Sequence, residues 1–260
     1  MGKRVKKSVI ITLAGTSSRF SRSVGSECHK SFYRETPNDD CLLDWQLDLA
    51  KRHGFEQIVL VGGYKYEELE RLVQNNHADL PVKLVLNDHF ADLGSCYSLC
   101  LGVEAVDEDA VSVVFLEGDL LFDSQTFDEL AALNDDAITA TRSIVDAKTS
   151  VAFFTTVDGR LRYVYDTRHE SLKVDEPFTR IGNSGQVWQF ADVAKLKASV
   201  HGLSKDDWKG TNLVPILKYY EGVDARTVRV CQFNAWFNCN TIVDYRAIKK
   251  YVKEVKNACN

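Results

Sequence analysis

The order of apolar and polar positions divides the chain into two halves. In the first, short apolar runs alternate with longer stretches that carry an apolar stripe at helical spacing. Residues 9–13, 57–61, 82–86 and 111–116 are compact aliphatic runs, the pattern of strands covered on both faces. Between them, 42–53, 66–75 and 95–106 read as helices. The first has apolar residues at 42, 45, 49 and 50 and is stopped by Gly54, and Ser95 is placed to cap the third. Repeated strand–helix units predict a parallel sheet with ligands at the carboxyl ends of its strands. The second half changes character. Strands are predicted at 137–143 and 151–157, and Asp158-Gly159 makes a hairpin turn into a strand at 161–165. A further strand at 186–190 and helices at 191–201, 211–220 and 241–257 complete the reading. The expected fold is α/β: a Rossmann-like, mixed but mostly parallel sheet flanked by helices, with a small antiparallel insertion.

Composition narrows the class without naming it. A chain of 260 residues, 45% of them hydrophobic, supports one sizeable core. The formal net charge of −5 argues against nucleic acid or an anionic membrane as the main partner. Lys3, Arg4, Lys6 and Lys7 precede an apolar run, as in a signal peptide. That run is too short, however, and ends in Gly-Thr-Ser-Ser-Arg. No stretch approaches membrane-spanning length. Seven scattered cysteines with no Cys-x-x-Cys argue against a disulfide framework or structural zinc, so a cytoplasmic setting is expected. The six histidines show no metal-ligand spacing, and no repeat or linker interrupts the chain.

Candidate chemistry gathers at the ends of the predicted strands. The first strand opens into Leu13-Ala14-Gly15-Thr16-Ser17-Ser18-Arg19, and Lys30 follows eleven positions after Arg19. A small-residue loop backed by two cations suits phosphate oxygens. It is neither a P-loop nor a dinucleotide fingerprint, because the required Gly-Lys-Ser/Thr and the later glycines are missing. The fourth strand ends in Glu117-Gly118-Asp119-Leu120-Leu121-Phe122, which sets a carboxylate at the sheet edge where a hard cation binds. Late in the chain comes Trp236-Phe237-Asn238-Cys239-Asn240-Thr241. Asn240 there is placed to cap the last helix. The segment from Asn87 through Gly94 and Ser95 to Ser98 precedes or opens a helix, and Gly182-Asn183-Ser184-Gly185 leads into a strand bearing Trp188.

Taken in order, these motifs resemble the GT-A-like nucleotidyltransferase superfamily, and nearest to them are the cytidylyltransferases that activate phosphocholine or aminophosphonates. The resemblance runs from Leu13 to Asp244. It implies one domain over 1–260, with a nucleotide-binding half (1–135) and a half that binds the acceptor and completes the metal site (136–260). The implied reaction joins CMP from CTP to a small phosphorylated or phosphonate acceptor and releases pyrophosphate. Arg19 and Lys30 would act on the phosphates, and Asp119 with Asn240 would hold Mg²⁺. Leu13, Ala14, Gly15, Thr16, Ser17, Ser18, Asn87, Gly94 and Ser95 would bind the nucleotide. Asp146, Lys148, Trp188 and Trp208 would line the acceptor pocket, where aromatic faces suit a cationic head group. Two positions depart from the pattern: His29 stands where the family has Pro before the lysine, and Asn240 stands where it has Asp. A sugar-1-phosphate nucleotidyltransferase using UTP, GTP or dTTP stays open, as does a catalytically degenerate nucleotide-binding module. A GT-A glycosyltransferase ranks lower, since Glu117-Gly118-Asp119 replaces Asp-x-Asp. Oligomeric state, including a homo-oligomer, is left open.

Overall fold

The computed structural model of the chain describes residues 6–165 and 171–258; Lys3, Arg4, His169 and Cys259 lie outside them. Its centre is a sheet in which β1 (Lys6–Leu13) lies between β2 (Gln57–Gly62) and β4 (Ala110–Glu117), with β3 (Val82–Leu86) beyond β2, all parallel. The second half extends this sheet on the β4 side. Strand β9 (Phe178–Phe190) pairs antiparallel with β4 and with β6 (Ala137–Ala140), and β10 (Arg229–Gln232) runs parallel to β6. A hairpin of β7 (Ala152–Thr156) and β8 (Leu161–Val164) joins the first part of β9. Gly159, in the left-handed region at φ 84°, makes that hairpin turn as expected.

Both faces of the central strands are covered, which is why they read as unbroken aliphatic runs. On one face Ile10, Val59 and Phe115 pack against α4 (Ser95–Glu104), α6 (Val193–His201) and α7 (Leu213–Tyr219). On the other, Val9, Ile11 and Leu60 pack against α2 (Leu42–Arg52), α3 (Tyr66–Asn76) and α5 (Ser124–Ala132). A third cluster joins Phe20 of α1 (Ser18–Val24) to Tyr245 and Ile248 of α8 (Ile242–Ala258).

Several elements differ from the sequence reading. Helices α1 and α5 and the short pair β5 (Leu120–Phe122) with β11 (Trp236–Asn238) were not expected, because segments this short carry little periodicity. Strand β9 starts eight residues earlier than predicted. Its first half is exposed and polar, and a positive φ of 55° at Gln186 lets it change pairing partners. Gly94, not Ser95, is the N-cap of α4.

The strand order 4-1-2-3 makes the gap between β1 and β4 the topological switch point, where connections leave in opposite directions and a crevice opens. The loops at that crevice, Ala14–Ser17 and Gly118–Asp119, are two of those in which the sequence placed candidate chemistry. No helix among the described residues is long and apolar enough to cross a membrane.

Candidate active site

The loop after β1 crosses the sheet edge with its backbone exposed. An added Cβ at Gly15 would meet nothing within 4 Å, so this glycine leaves open space where a ligand can approach the main chain. The Tyr64 amide donates to the Ala14 carbonyl (3.2 Å) and fixes the start of the loop. Ser17, at φ 54°, turns the chain into α1, and its hydroxyl accepts from the Lys30 amide (3.2 Å). That contact draws the Lys30 segment under the loop.

Across the crevice, the Gly118 amide donates to the Thr12 carbonyl (3.0 Å), which holds the turn against β1. A Cβ on Gly118 would lie 2.1 Å from Cδ2 of Leu13. Glycine is required there because the two loops touch, and that contact sets Asp119 beside Lys30. The Lys30 ammonium lies 2.5 Å from Oδ2 of Asp119, with the two side chains 19% and 15% exposed. The other Asp119 oxygen, Oδ1, is buried with no hydrogen-bond partner.

Arg19 projects from α1 and donates to Oδ1 of Asn240 (2.9 Å), whose amide nitrogen donates to Oδ1 of Asn238 (2.7 Å). Asn240 does not cap the last helix. Thr241 and Asp244 do, through a reciprocal capping box of hydroxyl and carboxylate with the two backbone amides. The Asn240 side chain is thereby left to face Arg19.

These groups surround two adjoining hollows. The larger, about 360 Å³, runs from the Gly15 loop past His29 and Lys30 to Asn87, Ser95, Glu117 and Asp119. The smaller, about 190 Å³, lies among Thr16, Arg19, Lys30 and Asn240. Two titratable groups in the larger hollow are strongly perturbed. His29 is stacked on Phe32 (ring centroids 4.1 Å apart), and its Nδ1 accepts from the Ser31 amide (3.2 Å). Burial, and next the charge of Lys30, lower its pKa to about 4, so it stays a neutral ring. This packing gives the segment before Lys30 the stiffness that a proline would otherwise supply. Glu117 accepts from the Asn212 amide (2.5 Å); burial first, and then the charge of Asp119, raise its carboxyl to about 7.

The residues present fit a hard cation. The unpartnered Oδ1 of Asp119 is an acceptor-only carboxylate oxygen, the kind of ligand that suits Mg²⁺. Among the described residues no three His, Cys, Asp or Glu gather as a metal cluster, so the protein would supply few ligands of its own.

A family model described as "Domain of unknown function (DUF6564)" matches residues 26–252, most of the chain. The chain belongs to the DUF6564 family. No curated protein matches it. Solved structures do resemble it over nearly the whole length. An inositol-1-phosphate CTP transferase from T. maritima has a TM-score of 0.66 at 20% identity, with 92% of this chain and 91% of that one covered. A CTP:phosphocholine cytidylyltransferase from Streptococcus pneumoniae has a TM-score of 0.64 at 17% identity, with 95% and 100% covered. A nucleotidyl transferase from Methanothermobacter has a TM-score of 0.62 at 17% identity, with 96% and 99% covered. At these identities the likeness establishes the fold: the DUF6564 chain has the GT-A-like nucleotidyltransferase architecture.

The expected site residues divide into those brought together and those dispersed. Leu13–Thr16, Lys30, Asn87, Gly94, Ser95 and Asp119 border the larger hollow, and Ser17, Ser18, Arg19 and Asn240 border the smaller. Gly94 cannot offer its N–H to a ligand, because that group donates to the Trp208 carbonyl (2.9 Å) and a Cβ there would strike the Gly210 carbonyl. Asn87 is committed inward, donating to the Ser98 hydroxyl (3.0 Å) and accepting from the His89 amide.

The expected acceptor set does not assemble in the DUF6564 chain. Trp188 is 1% exposed, stacked on Phe115 in the core, with its indole N–H bonded to Tyr163. Trp208 packs on Tyr97 outside the hollow. Asp146 accepts from the amides of Lys148 and Thr149 in an exposed turn, away from both hollows. His29, Ser98 and Glu117 stand in motifs read from the sequence but were given no role there, and Asn212 stands in none of them. Glu117 did carry a signal: a lone carboxylate closing an otherwise apolar strand.

Proposed function

We propose that the chain transfers the cytidylyl group of CTP to a small phosphorylated or phosphonate acceptor of the phosphocholine or 2-aminoethylphosphonate kind, releasing pyrophosphate. One observation carries the reading. The Gly15 loop and the Gly118 turn meet at the switch point of a nucleotidyltransferase fold, with the Lys30–Asp119 pair between them. The loop backbone from Gly15 to Ser18 receives the phosphates. Arg19, one hydrogen bond from Asn240, is free to turn its fork onto the β- and γ-phosphates. Lys30 acts as a point charge where negative charge grows at the α-phosphate. Asp119, with Asn240, would hold Mg²⁺, which supplies further charge neutralisation at the transferring group when bound. An acceptor oxygen forms the new bond to the α-phosphorus as the bond to pyrophosphate breaks. That oxygen is already anionic, so positioning and charge carry the reaction and no general base is required.

The test is pyrophosphate release with Mg²⁺, using each common ribonucleoside triphosphate and dTTP against phosphocholine, 2-aminoethylphosphonate and several sugar 1-phosphates. Release confined to CTP with an amine-bearing acceptor is the expected result. Release with a sugar 1-phosphate and UTP, GTP or dTTP would replace the substrate assignment. Nucleotide binding with no release from any acceptor would favour a degenerate binding module.

A further inference from the structure

We infer that Glu117 is the specificity-determining residue for the acceptor and that it pairs with a cationic amine on that molecule; the inference rests on the transfer reading above. Glu117 ends β4, opposite Thr12 of β1, and shares a face with Phe115. That face is covered by α4 and α7, so the carboxylate stands at the floor of the larger hollow. Its one hydrogen-bond partner among the described residues is the neutral Asn212 amide, on one oxygen only. The nearby ammonium, Lys30, is spent on Asp119.

A half-buried carboxylate with a single neutral donor has acceptor capacity left for a cation or a strong donor. The occupant of this hollow is therefore expected to bring positive charge, and a neutral sugar would leave the carboxylate as it is. Position favours the acceptor over the nucleotide. Glu117 and Asp119 stand on either side of the Gly118 turn and both border the larger hollow. A short acceptor with its phosphate at the transfer centre therefore has Glu117 within the same hollow for its amine. Its partner Asn212 comes from the chain's second half, away from the phosphate loop. With Trp188 in the core and Trp208 outside the hollow, neither of the expected indoles competes for the role.

The variant is Glu117→Gln, which keeps the shape and the acceptor oxygen for Asn212 but removes the charge. Two readouts are taken. In turnover, 2-aminoethylphosphonate is compared with propylphosphonate, in which methyl replaces ammonium. The wild type is expected to favour the amine at least tenfold in kcat/KM, and Glu117→Gln to lose at least tenfold of that ratio. Glu117→Asp, which keeps the charge, is expected to retain most of it. In calorimetry, 2-aminoethylphosphonate is titrated into protein holding a non-reacting CTP analogue, so binding is read without chemistry.

Loss of amine binding in Glu117→Gln supports the inference even if no turnover occurs, and the absence of turnover would then count against the transfer reading alone. Turnover with an unchanged amine ratio in Glu117→Gln overturns the inference and leaves the transfer reading intact. A collapse of the CTP-over-UTP ratio in place of the amine ratio also overturns it, since the carboxylate would then read the amino group of the base. An equal loss with both acceptors, relieved by raising Mg²⁺, overturns it in favour of a metal ligand.

Discussion

Lys30→Met tests the central pair directly, because it removes the ammonium and keeps the length of the side chain. The two charges lie 2.5 Å apart and are 19% and 15% exposed, and Oδ1 of Asp119 already lacks a partner. Removing Lys30 leaves both carboxylate oxygens unpaired in a site largely out of water. Breaking a fully buried pair from one side costs about 3–5 kcal/mol, and the residual exposure here reduces that to roughly 2–3 kcal/mol. Asp119→Asn is expected to cost less, about 1 kcal/mol, because the long lysine can turn toward solvent. In the double variant no charge is stranded, so the combined loss should fall short of the sum by about 1–2 kcal/mol. Urea unfolding with linear extrapolation measures all four proteins, provided their m-values agree. Turnover should fall at least about 100-fold in each single variant, since one donor at developing charge contributes roughly 3–4 kcal/mol. The double variant should lie close to the worse single, because the two residues act as a unit. A Lys30→Met protein within about 0.5 kcal/mol of wild type would refute the burial argument, and one that kept its turnover would refute the catalytic role.

The remaining predictions concern groups around that pair. His29 takes up a proton near pH 4 when folded, against an ordinary value of 6.5, so the folded state binds fewer protons between those values. Stability is therefore expected to fall by up to about 3 kcal/mol as the pH drops through that window. Unfolding at pH 4.5 and pH 7 checks this, and a His29→Gln protein with the same pH slope would contradict it. Gly118→Ala forces a Cβ to 2.1 Å from Leu13 and 2.9 Å from the Thr12 carbonyl. It should cost about 1–3 kcal/mol and weaken nucleotide binding together; an unchanged melting temperature would count against the contact. Trp188→Phe should lower stability by roughly 1–3 kcal/mol through its lost stacking and its lost bond to Tyr163. The acceptor KM should not move, and a changed KM would restore Trp188 to the site.

The two loops at the crevice were legible because each is local in sequence. One is a strand end followed by small residues, and the other is a strand end that carries a carboxylate. Both could be read as breaks in an apolar pattern, and the parallel order of β1, β2 and β4 then brings them together. The floor of the larger hollow follows no such rule. Glu117, Ser98 and Asn212 come from a strand end, a helix and the residue just before another helix, and only the packing of α4 and α7 beneath the crevice unites them. Trp188 misled because an indole suits a cation and a core equally well. Its neighbours Phe115 and Tyr163, distant in sequence, decide for the core. Gly94 misled for a related reason. A glycine before a helix suggests free amides, yet here it makes room for the Gly210 carbonyl.

Asn240 changes the charge balance of the centre in a way that can be measured. An aspartate there would hold Arg19 as an ion pair and add a second anionic ligand beside Asp119. The amide holds Arg19 through one exposed hydrogen bond of 2.9 Å, worth about 1 kcal/mol or less. Arg19 can therefore leave for a phosphate at little cost, while a metal ion alone finds one carboxylate that already pairs with Lys30. Mg²⁺ keeps oxygen ligands and commonly takes several from substrate phosphates, so under the proposed reaction the nucleotide would supply what Asn240 does not. Metal and nucleotide should then strengthen each other reciprocally, since a coupling free energy acts equally on both partners. Calorimetric titration of Mg²⁺ is expected to give weak binding to the free protein and at least tenfold tighter binding with a non-reacting CTP analogue present. Asn240→Asp should tighten Mg²⁺ binding to the free protein and reduce that gain. If Mg²⁺ bound equally well with and without the nucleotide, Asn240 would not be the residue that makes the metal depend on the substrate.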